Sequence, residues 1–269
     1  MAAQLDSSIS QPYRSGRSFR RLHLRTELPA SPASPSPIPE PAASRPWLSS
    51  PAAGAGTSST PSEFWQKLWA DPKSEELKEQ ALSTLFINGV GLGTLDPRIF
   101  GKYSVQDAVY CAKIAHLWFK LSNNPNADEY LQDLARVLSQ KYRGIAKEML
   151  QRWHIQTNES NEHFGVWLGD HATEYVKMVE ESLEENPAYM LVATFPCLKL
   201  WPYLASTLEH TQPSNNIYAF WIEENKKEGS SIERVQSAIN LYAEKLDYAT
   251  ALELFHKGLQ CEINFFNEP

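Results

Sequence analysis

The stretch A-Y-M-L-V-A-T-F-P-C-L-K-L-W-P-Y-L-A, residues 188–205, decides the fold. It follows Asn186-Pro187, a helix start that puts proline at the first helical position, where its missing N–H costs nothing. Apolar side chains run around nearly its whole circumference, so the helix is expected to lie buried among others. Pro196 and Pro202 each remove a helical hydrogen bond and are expected to kink the axis. Cys197 sits at the first kink, where it either fills the core as a small hydrophobe or aims a thiol into a cavity. A membrane span does not fit. The stretch barely reaches the ~20 residues a bilayer needs, Lys199 and two prolines interrupt it, and no second such segment occurs.

Outward from this helix the chain reads as helix after helix. On its C-terminal side, T-Q-P-S-N-N (211–216) is a turn, followed by helices at 217–227 and 231–246. The last helix, 249–266, carries Phe255, Leu259, Glu262 and Phe266 at spacings of 4, 3 and 4, which places Glu262 on an apolar face. On the N-terminal side lie helices at about 162–181 and at 127–153, the latter with an apolar stripe of Tyr130, Leu131, Leu134, Leu138, Ile145 and Leu150. Before them, Phe100, Tyr103, Asp107, Tyr110, Ile114 and Trp118 share one helical face. A carboxylate in the middle of that stripe must be paired, hydrogen-bonded or raised in pKa, because a bare buried charge is prohibitively costly. The Gly-rich run N-G-V-G-L-G-T-L-D-P (88–97) lacks the preceding strand that a nucleotide loop requires. It reads as a helix–helix connection closed by Asp96 as N-cap and Pro97 in the first turn. Two short helices, one beginning at Glu63 and one at Ser74, complete the series. No β pattern of useful length appears. The expected fold is an all-α bundle with a polar pocket in its core, into which Asp107, Cys197 and Glu262 point from three separate helices.

Residues 1–62 belong to another class. They hold most of the prolines, many Ser and Ala, six Arg and three acids, a net +3 that leaves −10 for residues 63–269 against the chain's −7. The Arg/Ser-rich start reads either as an organellar (mitochondrial) transit peptide or as a disordered extension of a cytoplasmic protein, the latter preferred. The acidic body argues against nucleic-acid partners. Three cysteines without a C-x-x-C pair fit a reducing compartment with neither structural disulfides nor a zinc site. Glu159 and His163 have a metal ligand's spacing, but no matching pair faces them, so no metal is expected.

Four separated motifs carry a family resemblance: G-x-G-x-L-D-P-x-x-F-x-x-Y-x-x-Q-D-x-x-Y (91–110), L-V-A-T-F-P-C (191–197), I-Y-x-x-W-I (217–222) and C-E-I-N-F-F (261–266). Over about residues 63–268 the chain resembles the TenA/thiaminase II family, aminopyrimidine aminohydrolases with a haem-oxygenase-like helical fold, in its cysteine-containing type. The resemblance implies that Cys197 is the nucleophile, Asp107 the carboxylate that binds the pyrimidine amino and ring groups, and Glu262 the acid/base. It implies pocket aromatics at Tyr110, Phe265 and Trp201, the last where a tyrosine is usual. The implied activity is hydrolysis of 4-amino-5-aminomethyl-2-methylpyrimidine, or of the thiamine C–N bond, in thiamine salvage. No metal or organic cofactor is implied; the partners are a small pyrimidine and further copies of the chain in a homo-oligomer. The sequence departs from the family pattern where pocket tyrosines fall near Ala172–Thr173 and Asn225, and where a histidine falls near Ala146. These departures bear on the substrate. The alternatives are a non-catalytic pyrimidine-binding or interaction protein of the same fold and, behind it, a haem-oxygenase-like diiron oxidase. Substitution of Cys111 or Cys261 is expected to be silent.

Overall fold

The helices that begin at Pro72, Leu85, Pro97 and Glu129 each start under a side-chain cap, Asp71, Thr84, Asp96 and Asp128 in turn, whereas those at Asp170, Tyr189, Ala219 and Ser230 start without one. The computed structural model describes residues 63–155 and 168–267. Among them are ten α-helices, one 3-10 turn and no strand. Two N-terminal helices, α1 (Phe64–Trp69) and α2 (Pro72–Ser83), are joined at Asp71, whose side chain accepts from the Lys73 amide. Then follow α3 (Leu85–Leu92), α4 (Pro97–Ser122) and α5 (Glu129–Arg152). The second described segment supplies α6 (Asp170–Glu185), α7 (Tyr189–Glu209), α8 (Ala219–Asn225), α9 (Ser230–Leu241) and α10 (Tyr248–Asn267). The all-α expectation holds. The expectations for residues 1–62 and for Glu159 and His163 lie outside the described residues.

The helix read first, α7, lies at the centre. It packs against α10, α6, α8 and α9, and its residues from Tyr189 to Pro196 are buried in succession. Helix formation continues through both prolines. Lys199, the apparent misfit in this apolar helix, pairs with Glu228 and lies over the rings of Trp65 and Trp69, which accommodates its charge at the edge of the core. Pro187 precedes the helix in a turn, with Asn186 Oδ1 accepting from the Ala188 amide. Along α4 and α5, which pack over their length, Ser139 Oγ donates to the Ala115 carbonyl across the contact.

Several details differ from the sequence expectation, among them the helix read at about 162–181, which spans Asp170–Glu185. The Gly-rich run is half helix: α3 extends to Leu92, capped by Thr84, and Gly93 (φ +72°) ends it in the left-handed region that glycine tolerates. Gly91 is retained within α3 because a Cβ there would meet Leu208 Cδ2 at 2.5 Å. Helix α2 begins at Pro72 rather than Ser74, since Asp71 provides the cap. The expected 231–246 helix stops at Leu241 and passes through a 3-10 turn, Ala243–Lys245. Tyr130, expected in the stripe of α5, is exposed, while Tyr142 on the inner face is buried.

The contact that positions the site is between α7 and α10. A Cβ on Gly258 would lie 2.6 Å from Pro196 Cγ and 3.3 Å from the Ala193 carbonyl oxygen, so only glycine allows this approach. Neither neighbour can rotate away, one being a ring and the other backbone. Gly258→Ala is therefore expected to lower the thermal midpoint by roughly 3–10 °C, from ~1–3 kcal/mol of overpacking. Gly144→Ala in α5, where an added Cβ meets nothing within 4 Å, is the control and should cause no loss. Equal midpoints for the two variants in a thermal scan would show that the α7–α10 contact is not tight.

Candidate active site

Helical periodicity brings the expected residues to one place. Asp107 and Tyr110 come from α4, Cys197 and Trp201 from α7, and Glu262 and Phe265 from α10. All six line a chamber deep in the bundle, completed by Ala172 and Tyr175 of α6. The chamber volume is ≈ 10 Å³, room for about one water. Asp107 and Glu262 are almost fully buried (5% and 2% exposed), whereas Cys197 is partly accessible. Asp107, Cys197 and Trp201 also line a second, outer cleft of ≈ 680 Å³; Glu262 lines only the inner chamber. Trp201 thus stands as the wall between them. Its indole Nε1 donates to Glu262 Oε2 at 3.1 Å and its ring stacks on Tyr103, centroids 5.8 Å apart.

Three buried polar atoms here lack a hydrogen bond of good geometry: Tyr103 Oη, Tyr110 Oη and Glu262 Oε1. Tyr110 and Glu262 are only weakly engaged by Cys197 and Tyr175, and Tyr103 Oη has no partner; under-satisfied buried groups are costly, so their clustering fits a place for a ligand or water. The thiol of Cys197 accepts from Tyr142 Oη at 3.9 Å, and Cys111 Sγ approaches Asp107 Oδ1 at 3.9 Å. Tyr175 Oη donates to the Ala193 carbonyl at 3.4 Å, and its ring lies 5.1 Å from that of Tyr110.

Burial dominates the electrostatics. Asp107 is pushed up to about 8 by desolvation and then by the neighbouring charge of Glu262. Glu262 is pushed up to about 7 by desolvation, held back by the Trp201 indole and by Tyr175 and Cys197. The Cys197 thiol rises well above its ordinary value through desolvation and the fields of Glu262 and Asp107. No cation offsets these shifts, so the thiol is protonated at rest. A carboxyl near neutrality is suited to proton transfer in either direction. No group of three or more His, Cys, Asp or Glu side chains that might hold a metal ion occurs among the described residues.

Sequence reasoning missed three tyrosines. Tyr175 follows Ala172 by three residues on the buried face of α6, Tyr142 lies between Leu138 and Ala146 on that of α5, and Tyr103 was read only as part of the α4 stripe. Spacing of 3 or 4 from known buried positions is the signal that finds them. Tyr175 therefore supplies a hydroxyl one turn from the position near Ala172 where one was found wanting. Asn225 lines the outer cleft, its amide donating to the Trp221 carbonyl at 2.8 Å. The buried Ala146 lines neither cavity.

No family model matches the sequence, and no curated protein matches it. Solved structures do. A TenA family transcription regulator from a Silicibacter species is 15% identical, with a TM-score of 0.64 over 76% of this chain and 95% of its own. TenA homologues from Pyrococcus horikoshii and Pyrococcus furiosus are 17% and 18% identical, with TM-scores of 0.61 and 0.60, again over 76% of this chain and 97% and 98% of theirs. At these identities the likeness establishes a shared fold. Among the described residues no helix is long and apolar enough to cross a membrane.

Proposed function

We propose that this chain is an aminopyrimidine aminohydrolase that converts 4-amino-5-aminomethyl-2-methylpyrimidine to its hydroxymethyl counterpart, in thiamine salvage. The observation that carries this reading is the meeting of Asp107, Cys197 and Glu262, from three helices, in one otherwise aromatic chamber. The shared fold with TenA proteins supports it. The free cysteines and reduced thiol chemistry fit the cytoplasm as the place of action.

In the mechanism, the ring enters from the outer cleft and meets Asp107 and Cys197, which line both spaces. Trp201 turns aside, releasing Glu262 Oε2 and opening the chamber into the cleft. Asp107 hydrogen-bonds the exocyclic amine and the adjacent ring nitrogen, fixing the ring's orientation. The ionised Glu262 takes the Cys197 proton and passes it to a ring nitrogen while sulfur bonds to the ring carbon beside the exocyclic methylene. Overall S–H adds across C=N, so this step adds no charge to the dry site. The substrate's amine is bound as its ammonium; electrons returning from the ring break the CH₂–N bond, the amine leaves neutral, and the positive charge stays on the ring until water adds and gives its proton to Glu262. Water, deprotonated by Glu262, adds to the exposed methylene, and the first addition reverses to expel the thiol. A pyrimidine-binding protein without turnover is the second reading, favoured by the closed state of the chamber, where Trp201 seals Glu262.

The deciding experiment is incubation of the purified protein with 4-amino-5-aminomethyl-2-methylpyrimidine, following ammonia and the hydroxymethyl product. Release of both in equal amounts is expected. Binding without product would replace the enzyme reading by the second one.

A further inference from the structure

The outer cleft is far larger than the inner chamber it adjoins, ≈ 680 Å³ against ≈ 10 Å³. Its floor is Asp107 and Cys197, and one wall is aromatic, with Phe100, Trp153 and Trp221. Within it, the buried Tyr103 hydroxyl has no partner. The charges on its rim are unevenly matched. At one end Arg152 is bound to Glu224 at 2.9 Å and feels Glu148 as well. At the other end, Lys141 Nζ donates to Ser231 Oγ at 2.7 Å and pairs with no carboxylate; the nearby Arg234 and partial burial both disfavour its charge. Lys227, which also lines the cleft, makes no ion pair among the described residues, and Glu209, whose ionisation it favours, is already bound by Lys226. A chain with net charge −7 thus leaves two lysines without a carboxylate partner in a cleft that the proposed nucleophile also lines.

From this arrangement we propose that the cleft is a leaving-group subsite, and that the substrate is an aminomethylpyrimidine whose departing amine bears a tail ending in an anion, phosphate or carboxylate, held by Lys141, Lys227 and Ser231. The proposal rests on the aminohydrolase reading and narrows its substrate class. The reacting ring occupies the floor, the Tyr103 hydroxyl bonds the departing amine or its tail, and the anion supplies the counter-charge that the basic end lacks. The anion adds no step to the chemistry: the same C–N bond breaks, and the tail leaves with the amine.

The test uses three amines of one pyrimidine, with an alkyl chain ending in methyl, carboxylate or phosphate, on the wild type, Lys141→Gln, Lys141→Arg and Lys227→Gln. The expected kcat/KM favours the anionic tails about 10-fold or more, the scale of one or two charge-assisted bonds. Lys141→Gln should lower the preference mainly through KM, Lys141→Arg should retain most of it, and added salt should shrink it. Methyl-tail turnover, measured for every variant, is the baseline against which the preference for anionic tails is read. The carboxylate and phosphate arms separate the two anions. Equal kcat/KM for all three tails in the wild type would overturn the subsite while leaving the aminohydrolase intact. If no compound is turned over, the aminohydrolase reading falls. Calorimetric binding of the same compounds then decides the subsite: a preference for anionic tails that Lys141→Gln removes supports it, and indifference to the tail overturns it.

Discussion

Cys197→Ser is expected to lower aminopyrimidine turnover by ~10⁴-fold or more, the scale on which loss of a nucleophile acts. A serine hydroxyl is far less acidic than a thiol, and no histidine lines the chamber to activate it. The exchange is nearly isosteric, so circular dichroism and the thermal midpoint should stay close to the wild type. Cys261→Ser is the matched control, since Cys261 lines neither cavity and should leave turnover unaltered. Cys111 is no longer such a control. Its sulfur lies 3.9 Å from Asp107 Oδ1 and it lines the outer cleft, so Cys111→Ser, expected to be silent from sequence, tests the contact with the proposed ring-binding carboxylate instead. Wild-type rates from Cys197→Ser, at equal folded concentration, would return the thiol to the role of core filler.

Glu262→Gln should lose ~10²–10⁴-fold in turnover, because an amide can neither accept the thiol proton nor deliver one to the ring. The same change should stabilise the protein at pH 8. Glu262 titrates near 4.5 in the unfolded chain and at about 7 when folded. Between those values the unfolded state has released its proton and the folded state has kept it. Stability is therefore full below the unfolded pKa, declines as pH rises toward 7, and levels off above. Glutamine has no proton to lose and can still accept from the Trp201 indole, so the decline should lessen. Asp107 should also titrate lower once the neighbouring charge is gone. Thermal scans at pH 5 and pH 8 read this directly. A variant no more stable than the wild type at pH 8 would show that Glu262 is not ionised against its surroundings, and the acid/base role would lose its electrostatic basis.

Much of this site was legible because helical spacing is a strict ruler. Asp107 and Glu262 each interrupt an apolar stripe at a position where the period demands a hydrophobe, and both are buried as that demands. The convergence of Asp107, Cys197 and Glu262 was expected because each is the lone reactive group on an apolar face; spacing alone says which face a residue occupies but not which helix it meets, and the role of each residue rested on the family resemblance. What the sequence hid depends on contacts between distant segments. Gly258 gives no local sign that Pro196 lies against it, and Gly91 none that Leu208 does. The Gly-rich run was misread for the same reason: glycine is a poor helix former by propensity, and only tertiary packing explains its place in α3. Tyr175 went unnoticed because a tyrosine on an amphipathic helix reads as ordinary core until a cavity is found beside it.

The protonated thiol has a consequence for the chain's life in an aerobic cell. Peroxides and electrophiles attack thiolates, so cysteines with depressed pKa values are those most readily lost to oxidation. Cys197 sits at the opposite extreme, in a desolvated pocket with two carboxyl groups and no cation. On the proposed mechanism its nucleophilic form arises only while a ring that can take up the proton is bound beside it. The resting thiol is then a poor target for oxidants, and its reactivity is conferred by the proposed substrate.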